Sequence, residues 1–344
     1  MNIATQLGDH AVADDFQQDI AAFFFNGLRG NLWPYLYGTP QAADDPVRGA
    51  RDYDLCLQEE PAYYLSSCEA QLFADEAPAL AAHLGSGATI FELGPGAEMY
   101  FRKKTLRLLR ACADLRGYVG VDISVTFLDR VLEVVRGEFP GLRVAGLLQD
   151  FSRLSTLPFV DNPVVLFKGS TIANLRRDEM PDFVRSVHDA VGRPHRFVVV
   201  HDANQDRETL MAAYDNAHCK RFYEGFPHRI QRDTNIAGFD PTAFRYTPEW
   251  VPEVHDFRQI LTATRAQTCQ LDGRPLAIAS GQKLHIMSSF KYPLDVFTGL
   301  IGAAGYEHEA VYFDATQRMA AHVFRSSHEA ARGRGIRLEA RPGA

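Results

Sequence analysis

The sequence predicts an α/β fold built on a doubly wound, mostly parallel sheet with an antiparallel closing strand. Between residues 88 and 200, short apolar runs alternate with segments that have helical periodicity. The runs are rich in Val, Ile and Leu without polar alternation, as in strands that are covered on both faces. Strand–helix alternation of this kind is typical of parallel sheets with right-handed crossovers.

Apolar runs provide the strands, and periodic segments provide the helices between them. The first run, ATIFEL, ends at a glycine, which marks the end of a strand. The clearest helical stripe is formed by Phe127, Leu128, Val131, Leu132 and Val135. We expect strands at 88–93, 117–122, 142–148, 163–169 and 195–200, and helices at 101–115, 124–139 and 178–192.

The alternation stops after residue 203. The next segment, up to residue 280, is richer in polar and aromatic residues and contains the turn signals GFDP and LDGRP. Late strands at 283–290 and from 310 toward 324 flank a helix near 293–305, and we expect them to close the sheet. The predicted domains are a core of residues 70–203 and 284–344 and a smaller domain of residues 1–69 and 204–283.

Composition excludes several classes of partner. A net charge of -7 over 344 residues argues against nucleic acid or an anionic membrane as the partner. No apolar run reaches the roughly 18–20 residues that span a bilayer, and the first residues do not resemble a signal peptide. The five cysteines are widely spaced and the histidines scattered, so we expect neither disulfides nor a metal. We expect a cytoplasmic protein that acts on a small molecule; the sequence does not fix the oligomeric state, and a monomer is favoured.

A glycine turn at the end of the first strand predicts a ligand site. In doubly wound sheets, ligands bind at the carboxyl ends of the strands, and Gly94 and Gly96 follow the first strand directly. A dinucleotide fingerprint requires a third glycine where this chain has Met99. ELGPG instead matches the E/DxGxG motif of enzymes that use S-adenosylmethionine.

The ends of the next two strands fit the same cofactor. Asp122 ends the second strand and can accept hydrogen bonds from ribose hydroxyls, a feature that dinucleotide sites share. At the end of the third strand, Asp150 can bind the adenine amino group while Phe151 packs on the ring. We therefore expect S-adenosylmethionine as the cofactor.

The segment LFKGSTIANL, residues 166–175, is the most distinctive in the chain. It resembles the GSTIGN segment of the histidine Nα-methyltransferase family, the enzymes that open ergothioneine biosynthesis. The family also includes fungal N-methyltransferases of tryptophan-derived alkaloid precursors. The segments EPAYYLSSCE, FELGPG, RKKTLRLL, YVGVDIS, QDF, LMAAYDNA, ILTATRAQT and SSFKY resemble further family segments in the same order, so the resemblance covers roughly residues 53–324.

The resemblance implies a Rossmann-like methyltransferase core, a substrate-binding domain and a set of site residues. Taken singly, Asn174 could instead cap the following helix, and Lys104 could belong to a solvated basic patch. The implied cofactor-binding residues are Gly94, Gly96, Lys104, Asp122, Asp150, Phe151 and Gly169. The implied substrate-binding residues are Tyr63 or its neighbour Tyr64, Thr171, Asn174, Tyr214, Gln259, Met287 and Ser289, with Asn174 and Tyr214 as the catalytic residues.

The chain departs from the family at the side-chain end of the implied substrate site. Met287 stands where the histidine enzymes have a glutamate that contacts the imidazole, and Gln259 also differs from the family residue. A thioether is only a weak hydrogen-bond acceptor, and losing such an acceptor in a buried site costs about 1–3 kcal/mol. We therefore expect a substrate other than histidine, with an apolar or aromatic side chain.

These residues are compatible with three functions. The first is an S-adenosylmethionine-dependent N-methyltransferase that acts on a free amino acid or a related amine. The second is a nicotinamide-dependent oxidoreductase, against which Met99 and the late pair of strands argue. The third is a protein that binds the cofactor without catalysis.

Overall fold

The computed structural model describes residues 9–28, 30–37 and 45–327, with a seven-stranded sheet at its centre. The strands are β1 Ala88–Leu93, β2 Leu115–Asp122, β3 Arg143–Leu148, β4 Asn162–Phe167, β5 Arg196–Asp202, β6 Phe244–Tyr246, β7 Glu249–Val251, β8 Asp256–Ala263, β9 Gln267–Leu271, β10 Arg274–Ile278, β11 Lys283–Phe290, β12 Tyr306–Phe313 and β13 Met319–Ser326. The helices are α1 Asp9–Phe25, α2 Gly49–Glu59, α3 Tyr64–Leu84, α4 Glu98–Lys103, α5 Thr105–Ala111, α6 Val125–Glu138, α7 Met180–Val191, α8 Arg207–Tyr214, α9 Ala217–Glu224, α10 Phe226–Asp233 and α11 Leu294–Gly302.

The central sheet confirms the predicted fold class. Its strand order is β12-β13-β5-β4-β1-β2-β3, with β1 to β5 parallel and β13 antiparallel to both β5 and β12. The chain order of the strands reverses between β1 and β4, so their carboxyl ends form the switch point at which ligands bind. Every residue of β1 is buried, including the polar Thr89 and the charged Glu92, as expected for a strand that is covered on both faces.

The predicted helix 101–115 is wrong in its bounds and in its continuity, because the helical part ends at Ala111 and Leu115 already belongs to β2. The segment forms two short helices, α4 and α5, which are separated at Lys104 (φ −120°, ψ −85°). The backbone leaves the helical region there, and the Lys104 side chain is buried against Glu69 of α3. The buried ion pair offers a physical reason for the break that apolar periodicity does not contain.

The strand at 283–290 was expected in the central sheet, and this expectation is also wrong. That segment is β11, which pairs antiparallel with β8 in a separate four-stranded sheet that also holds β6 and β7. The β9–β10 hairpin connects β8 to β11 directly, so the nearest partner along the chain competes with the distant core sheet.

Because α3 also runs through residues 69 and 70, the division into two domains at the predicted boundaries stays a proposal.

Helix α6 packs closely on β2 and β3 because the strands carry glycines beneath it. A Cβ atom at Gly146 would lie 2.7 Å from Leu132 Cδ1 and 3.0 Å from Leu128 Cδ2. Gly137, on α6 itself, has nothing within 4 Å of its Cβ position.

Among the described residues, no helix combines the length and the apolar character needed to cross a membrane.

The same substitution at these two glycines should have opposite effects. We expect Gly146→Val to lower the free energy of unfolding by about 1–3 kcal/mol, because the added methyl groups overpack the interface between α6 and β3. Gly137→Val should leave stability unchanged or raise it slightly, because valine is a better helix former than glycine. Urea denaturation of both variants measures the difference, and equal midpoints would contradict the packing argument.

Candidate active site

The turn after β1 brings backbone groups to the switch point of the sheet. Gly94 and Gly96 both have positive φ, +67° and +70°, a conformation that glycine adopts without strain. A Cβ atom at Gly94 would lie 3.2 Å from Phe151 Cε1, so this aromatic ring rests directly on the turn. Trp33 stacks on Phe151, with ring centroids 6.1 Å apart. The predicted cofactor residues Gly94, Gly96 and Phe151 therefore lie close together.

The carboxylates predicted at the ends of β2 and β3 have backbone partners. Asp122 Oδ1 accepts a hydrogen bond from the Ser124 N–H at 2.9 Å, and its Oδ2 accepts one from the Gly96 N–H at 3.4 Å. Burial raises the pKa of Asp122, while these N–H groups oppose that change. Asp150 accepts a hydrogen bond from the Ser152 N–H at 2.8 Å and so caps a short 3₁₀ turn that begins at Phe151. Asp122 thus stands beside the glycine turn with lone pairs available to a ligand.

A buried ion pair holds the glycine turn after β1 in place. Glu92, which is fully buried in β1, pairs with Lys168 at 3.1 Å and accepts hydrogen bonds of 2.6 Å from the hydroxyls of Thr105 and Tyr118. Lys168 in turn donates a hydrogen bond to the carbonyl of Pro95 at 2.9 Å. The glycine turn is therefore tied to the end of β4 through a single lysine.

Lys104, a predicted cofactor residue, belongs to a second buried pair. Its ammonium donates to Glu69 Oε2, and the other oxygen of Glu69 accepts a hydrogen bond from the Gly169 N–H at 2.6 Å. Burial lowers the pKa of Lys104, and the Glu69 carboxylate opposes that change. Lys104 is only 6% exposed, which excludes a solvated basic patch, and a direct contact with the cofactor stays a proposal.

A cavity lies next to the carboxyl ends of the central strands, and residues of the four-stranded sheet form one of its walls. Most of the predicted substrate residues line it, and Asn174 points to the cavity rather than capping α7, whose N-cap is Glu179. The predicted residues in the lining are Tyr63, Gly169, Thr171, Asn174, Tyr214, Gln259, Met287 and Ser289. The lining residues that sequence reasoning missed are Trp33, Tyr37, Tyr53, Leu65, Ser170, Phe222 and Tyr223.

Strand pairing explains why β8 and β11 contribute to one wall. Met287 lies opposite Gln259, and Ser289 lies opposite Phe257, in the antiparallel register of these strands. Alternate residues of a strand face the same side, so Met287 and Ser289 share a face, and Lys291 follows at the same spacing. The 287–289–291 spacing is the sequence signal that could have identified Lys291.

Lys291 organises the hydroxyl groups on this wall. The side chain is fully buried, and its ammonium contacts Asp202 Oδ2 at 2.9 Å. It also donates hydrogen bonds of 3.0 Å to the Tyr214 hydroxyl and to Ser289 Oγ. Burial acts to lower the pKa of Lys291, but Asp202 and Tyr214 together outweigh it, so the pKa is raised and the lysine is charged. Both hydroxyl oxygens accept from Lys291, and they lie 3.4 Å from each other, so at least one of the two hydroxyl hydrogens remains to be donated to a ligand.

Tyr63 and Tyr64, which the sequence could not separate, have different surroundings. Tyr63 lines the cavity, where its ring packs edge-on against Tyr214 with centroids 5.5 Å apart. Tyr64 donates a hydrogen bond to Asp202 Oδ2 at 2.7 Å and accepts one from Asn204 Nδ2 at 3.0 Å. Tyr64 therefore stabilises the Asp202–Lys291 pair and, unlike Tyr63, is not among the residues that line the cavity.

Comparison with known proteins identifies the family. The family described as "Histidine-specific methyltransferase, SAM-dependent" matches residues 45–326 of the chain. The chain belongs to this family. The protein is therefore an S-adenosylmethionine-dependent methyltransferase, and the oxidoreductase alternative is not supported.

Individual relatives agree with this assignment. A histidine N-alpha-methyltransferase of Mycolicibacterium smegmatis is 26% identical over 253 residues, which are 71% of this chain and 77% of the relative. The N-methyltransferase imqF of Aspergillus flavus is 24% identical over 263 residues, which are 71% of this chain and 69% of the relative. Among solved structures, the CcbJ methyltransferase of Streptomyces caelestis is 19% identical, with a TM-score of 0.40 over 73% of this chain and 94% of that chain.

The edge beside β1 and β2 fits the cofactor of this methyltransferase family. When bound, S-adenosylmethionine supplies a methyl group on a sulfonium and has no phosphate, so no anion-binding site is needed. We expect Asp122 to accept hydrogen bonds from its ribose hydroxyls and Phe151 to pack on its adenine. The backbone at Gly94 and Gly96 would allow a close approach of the ligand because the turn has no Cβ atoms there.

Removing the Asp122 carboxylate should weaken cofactor binding. We expect Asp122→Ala to reduce the binding free energy of S-adenosylhomocysteine by more than about 1.5 kcal/mol, because two hydrogen bonds to a charged acceptor are lost. Isothermal titration measures the effect. Asp129→Ala, which changes an exposed aspartate on α6, is the matched control and should bind normally. Normal affinity in a folded Asp122→Ala protein would remove Asp122 from the cofactor site.

Proposed function

We propose that the enzyme methylates the amine of a free amino acid, or of a small molecule derived from one, other than histidine. The observation that carries the proposal is the pair of hydroxyls, Tyr214 and Ser289, that Lys291 orients toward a cavity next to the cofactor edge. Such a pair can donate hydrogen bonds to the carboxylate of an amino acid. The names of the bacterial and fungal relatives support nitrogen as the methylated atom.

The neutral lining of the cavity supports an amine as the nucleophile. Among the described residues, no Asp, Glu, Lys or Arg side chain lines the cavity. A carboxylate next to an amine would hold it in its protonated form, which has no lone pair for attack. The Asn174 amide and the Tyr214 phenol can instead orient the amine and the carboxylate without a tight ion pair.

Placement of the amine supplies most of the catalysis in this proposal. Methyl transfer is an in-line displacement that needs little acid–base chemistry at carbon, so proximity and orientation dominate the rate. Asn174 and Gly169 belong to the same turn after β4, and the Gly169 N–H is fixed by Glu69. In this proposal, the buried Lys104–Glu69 pair therefore positions the substrate side of the cavity relative to the cofactor side.

Met287 supports the exclusion of histidine. It is 6% exposed, lines the cavity and stands where the histidine enzymes have a glutamate. An imidazole donor in this position would lose its hydrogen bonds to water and gain no charged acceptor, at a cost of about 1–3 kcal/mol. An aromatic or apolar group meets no such penalty.

Substitution of the predicted anchors should separate catalysis from cofactor binding. We expect Asn174→Ala and Tyr214→Phe to lower kcat/KM for the amine substrate by at least about 10-fold, because each removes a hydrogen bond that orients it. Affinity for S-adenosylhomocysteine should change less than 3-fold. Tyr312→Phe, in the edge strand β12, is the matched control for the loss of a phenol. If both anchor variants keep full kcat/KM, the cavity is not the substrate site.

A competition among amino acids tests the exclusion of histidine. Wild-type protein is incubated with S-adenosylmethionine and an equimolar mixture of histidine, tryptophan, tyrosine, leucine and arginine, and the products are measured by mass spectrometry. We expect histidine to be methylated least or not at all. Met287→Glu should lose activity on the preferred substrate, because it buries an unpaired carboxylate, whereas Met287→Gln separates the effect of charge from that of shape. Efficient histidine methylation by the wild type would overturn this part of the proposal.

A further inference from the structure

An unpaired amide group in the cavity wall points to the side chain of the substrate. Gln259, in β8, is fully buried, and its Oε1 accepts a hydrogen bond from the Tyr246 hydroxyl. Its Nε2 has no hydrogen-bond partner within the described part of the chain, although the residue lines the cavity. A buried donor without a partner costs about 1–3 kcal/mol, and native proteins have few of them. A ligand that accepts a hydrogen bond from Nε2 would remove this cost.

We propose that Gln259 determines specificity by donating a hydrogen bond from Nε2 to an uncharged oxygen on the substrate side chain, and that the substrate is a hydroxylated aromatic amino acid of the tyrosine type. The inference rests on the proposed function, because it takes the amine and carboxylate to lie at Asn174 and Tyr214. It assigns the side chain of the substrate to the opposite end of the same cavity.

The strand register sets the distance between the two ends. Phe257, whose ring stacks on Tyr214 with centroids 4.5 Å apart, lies opposite Ser289, and Gln259 lies two residues farther along β8. Two residues of a strand span about 7 Å. A side chain that starts near Tyr214 and Ser289 therefore reaches Gln259 with a para-substituted phenyl ring, whereas the hydroxyl of serine or threonine is too close to its α-carbon.

The rest of the lining favours an aromatic ring over a polar chain of similar length. Tyr63, Phe222 and Tyr223 supply aromatic walls, and the Met287 thioether lies opposite Gln259. Aromatic edges and faces and a methionine sulfur all make favourable contacts with a ring. A charged side chain would find no counterion among the described lining residues and would be desolvated without compensation. An uncharged phenol satisfies both the walls and the Gln259 amide.

The test compares substrates that differ only in the ring hydroxyl. Values of kcat/KM are measured for tyrosine and phenylalanine with wild-type protein, Gln259→Leu and the control Gln71→Leu, which changes an exposed glutamine on α3. We expect the wild type and the control to prefer tyrosine by about 10-fold or more, because phenylalanine leaves Nε2 unpaired. Gln259→Leu should lose this preference by losing tyrosine activity while it keeps or gains phenylalanine activity, which also shows that the variant is folded.

Two results would overturn the inference. Equal use of tyrosine and phenylalanine by the wild type, or a full tyrosine preference in Gln259→Leu, would show that Gln259 does not read the side chain, while the proposed methylation of amino acids would stand. No turnover on any amino acid by wild-type protein that binds S-adenosylhomocysteine would overturn the proposed function and this inference together.

Discussion

Buried lysine–carboxylate pairs determine the geometry of the carboxyl edge of the sheet. Lys104 pairs with Glu69, Lys168 with Glu92 and Lys291 with Asp202, and every one of these side chains is at most 7% exposed. A charge this far from water is tolerated only with a partner, and removing one partner of such a pair typically costs about 3–5 kcal/mol. Each pair joins different elements, so α3, the turn after β1, the turn after β4 and the residue after β11 are held in fixed relative positions.

These pairs act on the candidate active site without lining its cavity. The cavity presents hydroxyls, amides and aromatic rings, whereas the charges that orient them are one layer farther out. Lys291 donates hydrogen bonds to the hydroxyls of Tyr214 and Ser289, and Glu69 accepts one from the Gly169 N–H. The arrangement suits a reaction in which the nucleophile must be a neutral amine, because it provides orientation while keeping strong charges away from that amine.

The local patterns of the sequence predicted elements and several site positions, but not the long-range partners. The apolar runs placed β1 to β5 to within two residues, and the motif spacing brought Asn174, Tyr214, Met287 and Ser289 to one cavity. Lys104 lies among basic residues, and nothing local indicates that it turns inward to Glu69.

Tertiary neighbours also decide the positions that the sequence left open or got wrong. Tyr63 and Tyr64 are adjacent at the start of α3, so motif matching cannot say which one faces the cavity. The strand β11 has the composition of a core strand, and only its hairpin connection to β8 places it in the four-stranded sheet. The aromatic residues on α2 and α9 were missed because they reach the cavity from segments that carry no recognisable motif.

The register of β8 and β11 suggests how one family can serve different substrates. In the proposed arrangement, the Ser289–Phe257 pair lies at the anchoring end, and the Met287–Gln259 pair lies one step along the same face. Side chains two residues apart on a strand share a face but have largely separate neighbours, so the second pair can change while Lys291 continues to hold Tyr214 and Ser289. Substitution at two facing positions would therefore alter side-chain recognition without disturbing the buried charges that orient the Tyr214 and Ser289 hydroxyls.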